Sequence, residues 1–383
     1  MNAMCKKLLS LAMVLAMVLT MTPVISVPTA ATTTNYASPV GDIVAAQSGA
    51  VKCDACKQDI SWDDWTPITM ETLGCAQMFD TATTFALQPG THYYLAEDII
   101  AYTATQVPFL TVTAGDPICL HLNGKTIRNV KNQTDLDAPG ANVAENIEVG
   151  ETGTGTVIDA NAGTVNLMGE GYVACRENNS PNAVVTINGG AVNVYGGTYN
   201  NHRNARACIT IGKSGGSLAV YGGIFQDPLG IRGGSSNTAG AIAVHGGELT
   251  ARCLFESSNT SPLAAGTQLT VTGGTFQLET SIMETGMDMT IKPVITGGSF
   301  NIDPKDYLGD CVAAVKTDSV WTVEEKHNYG GDGVCTDCGD VADGVPAFNP
   351  EGNEGKAYCE ACYKLALAAG DSRDEALEAA LKE

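Results

Sequence analysis

Two cysteine pairs near the C-terminus carry the most specific chemistry in this sequence. Cys335 and Cys338 are spaced Cys-x-x-Cys with a glycine following, and Cys359 and Cys362 repeat the spacing further along the chain. Zinc takes four soft ligands in a tetrahedron, and two such turns brought face to face supply them. The stretch between them is rich in Gly, Pro and Asn and has no core of its own, so a structural zinc there would contribute on the order of 10–16 kcal/mol to ordering it. His327, a short way before Cys335, could replace one thiolate. Disulfides are the alternative in an exported chain. A third pair, Cys53 and Cys56, has no second pair nearby. Metal binding through distant partners, a disulfide and redox exchange all stay open for it.

Carboxylates come next, because glycosidases need two of them a few ångströms apart and calcium needs several oxygens. Asp135, Asp137, Glu145, Glu148, Glu151 and Asp159 gather in one acidic stretch. Calcium is therefore the second candidate ion, with a solvated acidic face as the plainer reading. Residues 178–247 hold a single acid, Asp227, against Arg203, Arg206, Lys213 and Arg232. His202, Arg203 and Arg206 share one Asn-rich loop, and Arg232 follows about one repeat later. Stacked repeats would set them on one flank as a ligand-binding stripe, and arginine forks match the carboxylates or sulfates of acidic glycans. Arginines that face water or pair with local acids are the alternative. The sequence shows no nucleophile motif and no phosphate loop.

The elements that must position these residues are written in a repeat. VYGGTY ends at Tyr199, VYGGIF at Phe225, VHGGEL at Leu249, VTGGTF at Phe276 and ITGGSF at Phe300. The step from one to the next stays near one value, roughly 25 residues, within the range of solenoid repeats. A short alternating strand (AVNVY, SLAVY, AIAVH, QLTVT) precedes each glycine pair. A chain that makes two or three short strands per turn and stacks each turn on the last returns to one lateral position at such a period. Glycine pairs allow the sharp bend between strands. Tyr199, Phe225, Leu249, Phe276 and Phe300 are then expected to form an internal ladder. An antiparallel sandwich, with its more closely spaced hairpins, is disfavoured because whole units repeat with the same residue types in the same order. The fold class expected is all-β: a right-handed parallel β-helix with a small Cys-rich, partly helical C-terminal module.

The ends have their own signatures. Lys6, Lys7 and the apolar run Leu8 to Leu19 read as an export leader over residues 1–31, too short to span a bilayer. Its removal takes away two of the 21 basic residues and none of the 42 acidic ones, and so deepens a net charge that is already −21. Such a charge disfavours nucleic acid and anionic membrane surfaces as partners. Residues 32–89 form an N-terminal segment and cap, in which Trp62 and Trp65 are expected over the open end of the solenoid, with stacking on sugars as the alternative. The β-helix is assigned to 90–323 and the Cys-rich module with a C-terminal helix to 324–383. Ser372 and Glu375 make a capping box ahead of that helix. Of the scattered Cys75, Cys119, Cys175, Cys208, Cys253 and Cys311, several read as small buried apolar residues, with a disulfide framework as the alternative in an exported chain.

Within residues 90–323, a tyrosine-rich strand (THYYL), the segment CLHLNGKTI and the serial VxGGTF turns resemble the pectate-lyase-like β-helix proteins exported by bacteria. The resemblance implies a scaffold shared by polysaccharide lyases and hydrolases, carbohydrate-binding proteins and adhesins. With no carboxylate cluster to assemble, the expected function is a secreted, non-catalytic β-helix that binds extracellular glycan or mediates cell-surface contact. A polysaccharide lyase or glycoside hydrolase is the competing reading, and a structural spacer is the third.

Overall fold

The computed structural model describes residues 50–78, 80–101, 108–129, 157–175, 183–201, 207–234, 236–257, 261–284 and 291–327, all within one compact unit. The leader, the acidic run from Asp135 to Glu151, the loop holding His202, Arg203 and Arg206, and the module with Cys335, Cys338, Cys359 and Cys362 lie outside the described residues.

The chain winds into a parallel β-solenoid of about seven turns. Each regular turn contributes three short strands, as in Ala191–Val194, Thr198–Asn200 and Ile209–Ile211. The first face is a nine-stranded sheet running from Thr66–Ile68 to Val294–Ile295, with every pairing parallel. The second and third faces merge into one 16-stranded sheet because Glu248–Ser257 runs unbroken from one to the other. This pairing excludes the antiparallel sandwich.

Alternation within each strand sends one side chain inward and the next to solvent, so Val192 and Val194 are buried while Asn193 is only partly covered. The register then stacks like on like. Tyr199 pairs with Phe225, Phe225 with Leu249, Leu249 with Phe276 and Phe276 with Phe300, all buried, as the spacing of the repeats requires. Tyr199 and Phe225 stack at 5.2 Å, and Phe276 and Phe300 at 4.7 Å. Each buried aromatic contributes about 1.5–3 kcal/mol by removing apolar surface from water, and its neighbours above and below supply the cover that its own turn lacks.

The two glycines of each pair serve different ends. At Gly222 a Cβ would sit 2.6 Å from the Tyr195 carbonyl oxygen of the turn beneath, so the side chain is excluded by stacking. Gly223 has a φ of +99°, a conformation that other residues rarely adopt. Where the last parallel rung would expose an open edge, Gly298–Phe300 pairs antiparallel with Val320–Glu325, itself hairpinned to Val312–Thr317. Lys316, Glu324 and Glu325 place charge on that hairpin, which discourages further strand addition.

Trp62 and Trp65 do not lie over an open end. They pack on the outer surface of the first face, Trp62 against Tyr94 and His121 and Trp65 against His92 and His121. The cause is the chain path: Trp65 immediately precedes the first strand, and Ala50–Lys52 with Asp59–Ser61 folds back as an antiparallel hairpin. That hairpin forms a second, smaller apolar cluster with outward residues Cys119 and Met168.

Candidate functional site

The turn of this hairpin is the Cys53–Cys56 pair. The Lys57 amide donates to the Cys53 carbonyl at 2.8 Å, and the Cys53 amide donates to Gln58 O at 2.8 Å. Lys57 takes a φ of 60°, which turns the chain back on itself. The Cys56 amide points at Cys53 Sγ, 3.4 Å away. Closing the turn in this way leaves both sulfurs on one side of it.

The solenoid supplies what they meet. His92 and Cys119 are outward residues of neighbouring rungs and directly paired in register. His92 Nε2 lies 3.7 Å from Cys56 Sγ, and Cys119 Sγ lies 3.4 Å from Cys53 Sγ. Cys53, Cys56 and His92 each offer one ligand atom, all within 4.8 Å of one another, a set able to hold a metal ion. Asn166, one rung further, directs Nδ2 to Ile118 O at 3.2 Å and lies 3.7 Å from Cys119 Sγ.

Burial sets the protonation of these groups. Desolvation pushes the Cys119 thiol up to about 12, helped by its contact with Cys53. Desolvation also raises Cys56, with the contact to Cys53 adding to it. The same effect lowers His92 and so favours its neutral imidazole, the form with a free ring lone pair. Without a cation the Cys56 and Cys119 thiols keep their protons, and a bound metal would displace them. Burial lowers His121 as well, partly offset by Asp54. His121 Nδ1 already accepts the Asn123 amide at 3.0 Å, which occupies that nitrogen.

The sequence singled out Cys53 and Cys56 but not their partners. His92 and Cys119 stand 36 and 66 residues from the cysteines they approach, and no local spacing links them. The available signal was their place at outward positions of HYYL and ICLH.

Among the other candidates, Arg232 is half-buried and follows the third-face strand Leu229–Ile231, its amide bonded to Ile211 O at 2.8 Å. The residues flanking the loop of His202, Arg203 and Arg206 are held by buried acids. Asp227 accepts the Asn201 amide and Glu256 accepts the Ala207 amide, each at 2.6 Å. Burial pushes the Asp227 carboxyl up to about 7, against the Asn201 hydrogen bond and with Glu256 adding to it. Asp159 accepts from Asn188 at 3.1 Å, and burial raises its carboxyl too. His327 Nε2 stands 4.0 Å from Glu325. Cys75, Cys208 and Cys253 are buried, as small apolar residues are expected to be.

A second feature runs along the stacked glycine corners. An open groove of about 500 Å³ is lined by Glu170, Gly171, Gly197, Thr198, Gly223, Ile224, Gly247 and Glu248. Beside it runs an external ring ladder: Tyr195 stacks on Tyr221 at 4.9 Å, and Tyr221 on His245 at 5.0 Å. His245 Nδ1 meets Thr272 Oγ1 at 2.8 Å. The rings lie face to face, and each stands two residues before a lining glycine, Gly197, Gly223 or Gly247. Tyr221 and Ile224 are among the most exposed large hydrophobic residues, at 48% and 45%. Arg232 sits near a different corner of the turn, after the third-face strand.

Fold and sites together define an all-β solenoid with an outer-face Cys/His cluster able to hold a metal ion and a groove along one corner. Comparison with known proteins found no family model, no curated protein and no solved structure that matches this chain.

Proposed function

We propose that this chain is an extracellular, non-catalytic binding solenoid that lays an extended neutral glycan along the glycine-corner groove. The observation that carries this reading is the groove itself. Its lining is the stacked glycine corners Gly171, Gly197, Gly223 and Gly247 together with Thr198, Ile224, Glu170 and Glu248, and Tyr195, Tyr221 and His245 precede three of those corners at about one strand spacing, ~4.8 Å. A row of like groups at a fixed interval suits a polymer of like units. Its charged lining residues are Glu170 and Glu248, and the whole chain has a net charge of −21, so a neutral polymer is favoured over a polyanion. Glu170 and Glu248 stand three rungs apart, about 14 Å at the usual strand spacing, beyond the ~5–9.5 Å of a glycosidase carboxylate pair. The leader read at residues 1–31 would deliver the protein to such a polymer outside the cell, and the sequence resemblance to exported pectate-lyase-like scaffolds is in keeping with that reading. The metal we assign to Cys53, Cys56 and His92 is zinc, because two thiolates and an imidazole are a soft donor set that this ion favours.

The test is native electrophoresis of the full chain through gels containing neutral or acidic polysaccharides, with the same samples assayed for released reducing ends. Retardation by a neutral polymer, weakened about tenfold or ~1.4 kcal/mol in Tyr221→Ala, supports the groove. Retardation only by acidic polymers, lost in an Arg203→Ala, Arg206→Ala chain, moves the site to the arginine loop. Release of reducing ends would replace the binding reading with a lyase or hydrolase.

A further inference from the structure

We propose that Cys119 is a fourth ligand beside Cys53, Cys56 and His92, completing a closed tetrahedral Cys3His centre that pins the N-terminal hairpin to the outer face of the solenoid. This rests on the three-residue zinc reading above and extends it. Two ligands come from the hairpin turn and two from adjacent rungs of the first face, whose strands stand about 4.8 Å apart. Bond lengths of about 2.3 Å to sulfur and 2.0–2.1 Å to nitrogen imply edges of roughly 3.5–3.8 Å in a zinc tetrahedron. The two hairpin-to-solenoid edges, 3.4 Å from Cys53 to Cys119 and 3.7 Å from Cys56 to His92, already fall close to that range; Cys119 lies outside the set whose ligand atoms are all within 4.8 Å of one another, so its side chain must swing inward to close the tetrahedron.

The surroundings suit a structural ion. Cys53 and Cys119 are buried at 0% and 4% exposure, and the Cys56 amide and Asn166 Nδ2 supply N–H groups towards their sulfurs, as the outer shell of a thiolate site does. Trp65 packs edge-on to His92 and limits its ring orientations. Four protein ligands leave no open position for substrate, so the centre acts as a clasp. The clasp reaches the external ring ladder as well: Lys57, next in sequence to Cys56, holds its ammonium 5.4 Å from the centre of the Tyr195 ring, the first of that ladder.

Cobalt(II) titration of the apo full chain tests the fourth ligand, because the thiolate-to-cobalt charge-transfer band grows with each sulfur bound. Cys53→Ser, Cys56→Ser and Cys119→Ser should each remove at least one thiolate's share of the band. Cys119→His, which keeps a ligand if the serine variant fails to fold, should retain bound cobalt with a lower band. If Cys53→Ser and Cys56→Ser lower the band while both Cys119 variants match the wild type, the fourth ligand is overturned and the three-residue site stands. If none of the variants changes the band, the zinc reading falls with it. A chain isolated with Cys53 and Cys119 joined as a disulfide and binding no cobalt there also overturns the proposal.

Discussion

Cys53 Sγ and Cys119 Sγ lie 3.4 Å apart across 66 residues of sequence. One belongs to a hairpin turn and the other to an outward position of a solenoid strand, so the contact records how the N-terminal hairpin docks. It brings a cysteine pair with no local partner to donors that only the winding of the chain can supply. Met168 and Tyr195 extend the contact across two further rungs, which makes the hairpin an external brace over the first turns.

Zinc should stabilise that brace. A ligand that binds only the folded state at 1,000 times its Kd contributes ~4 kcal/mol, which for a domain of this size raises Tm by on the order of 10 °C. Calorimetry of the apo chain with and without zinc should show the rise, and Cys56→Ser should lose much of it. An identical rise in the variant would mean that the stabilising zinc binds elsewhere.

Gly222→Ala should destabilise the solenoid by about 1–3 kcal/mol, as overpacking does. The added carbon would sit 2.6 Å from a backbone carbonyl, that of Tyr195, which cannot swing away as a side chain can. Urea denaturation measures the loss. An unchanged midpoint would show that the rungs slide apart at little cost.

Phe276→Ala should cost about 3–5 kcal/mol, because the ring is buried and stacked on Phe300 at 4.7 Å. Phe276→Leu should lose less than half as much, since Leu249 already fills the equivalent place one turn earlier. Equal losses for both variants would assign the effect to ring stacking rather than to volume.

Asp227 should make stability fall as pH rises. Its folded pKa, about 7, exceeds the ordinary 3.8, so the folded state binds the proton more tightly between those values. The contribution is complete below the unfolded value and is lost as pH climbs through 7, an effect on the order of a few kcal/mol. Glu256, paired in turn with Arg252 at 3.7 Å, is the charged neighbour that adds to the shift. Asp227→Asn retains an oxygen to accept the Asn201 amide, and its stability should change less than that of the wild type between pH 5 and 8. Parallel curves for the two chains would remove Asp227 as the cause.

The repeat and most of its structural consequences were legible in the sequence alone. Glycine pairs at near-constant steps required stacked turns, and alternation around them required that Tyr199, Phe225, Leu249, Phe276 and Phe300 face inward and meet. These are short-range patterns repeated many times, so each copy reinforces the same register. The hairpin over the outer face, the place of Trp62 and Trp65, and the meeting of Cys53, Cys56, His92 and Cys119 were decided only in three dimensions. Each occurs once, depends on which outward position of one rung lies beside another, and leaves no period behind. The solenoid turns the long sequence separation of His92 and Cys119 into one strand spacing, and that conversion is what brings single residues scattered along the sequence into one metal-ligand set.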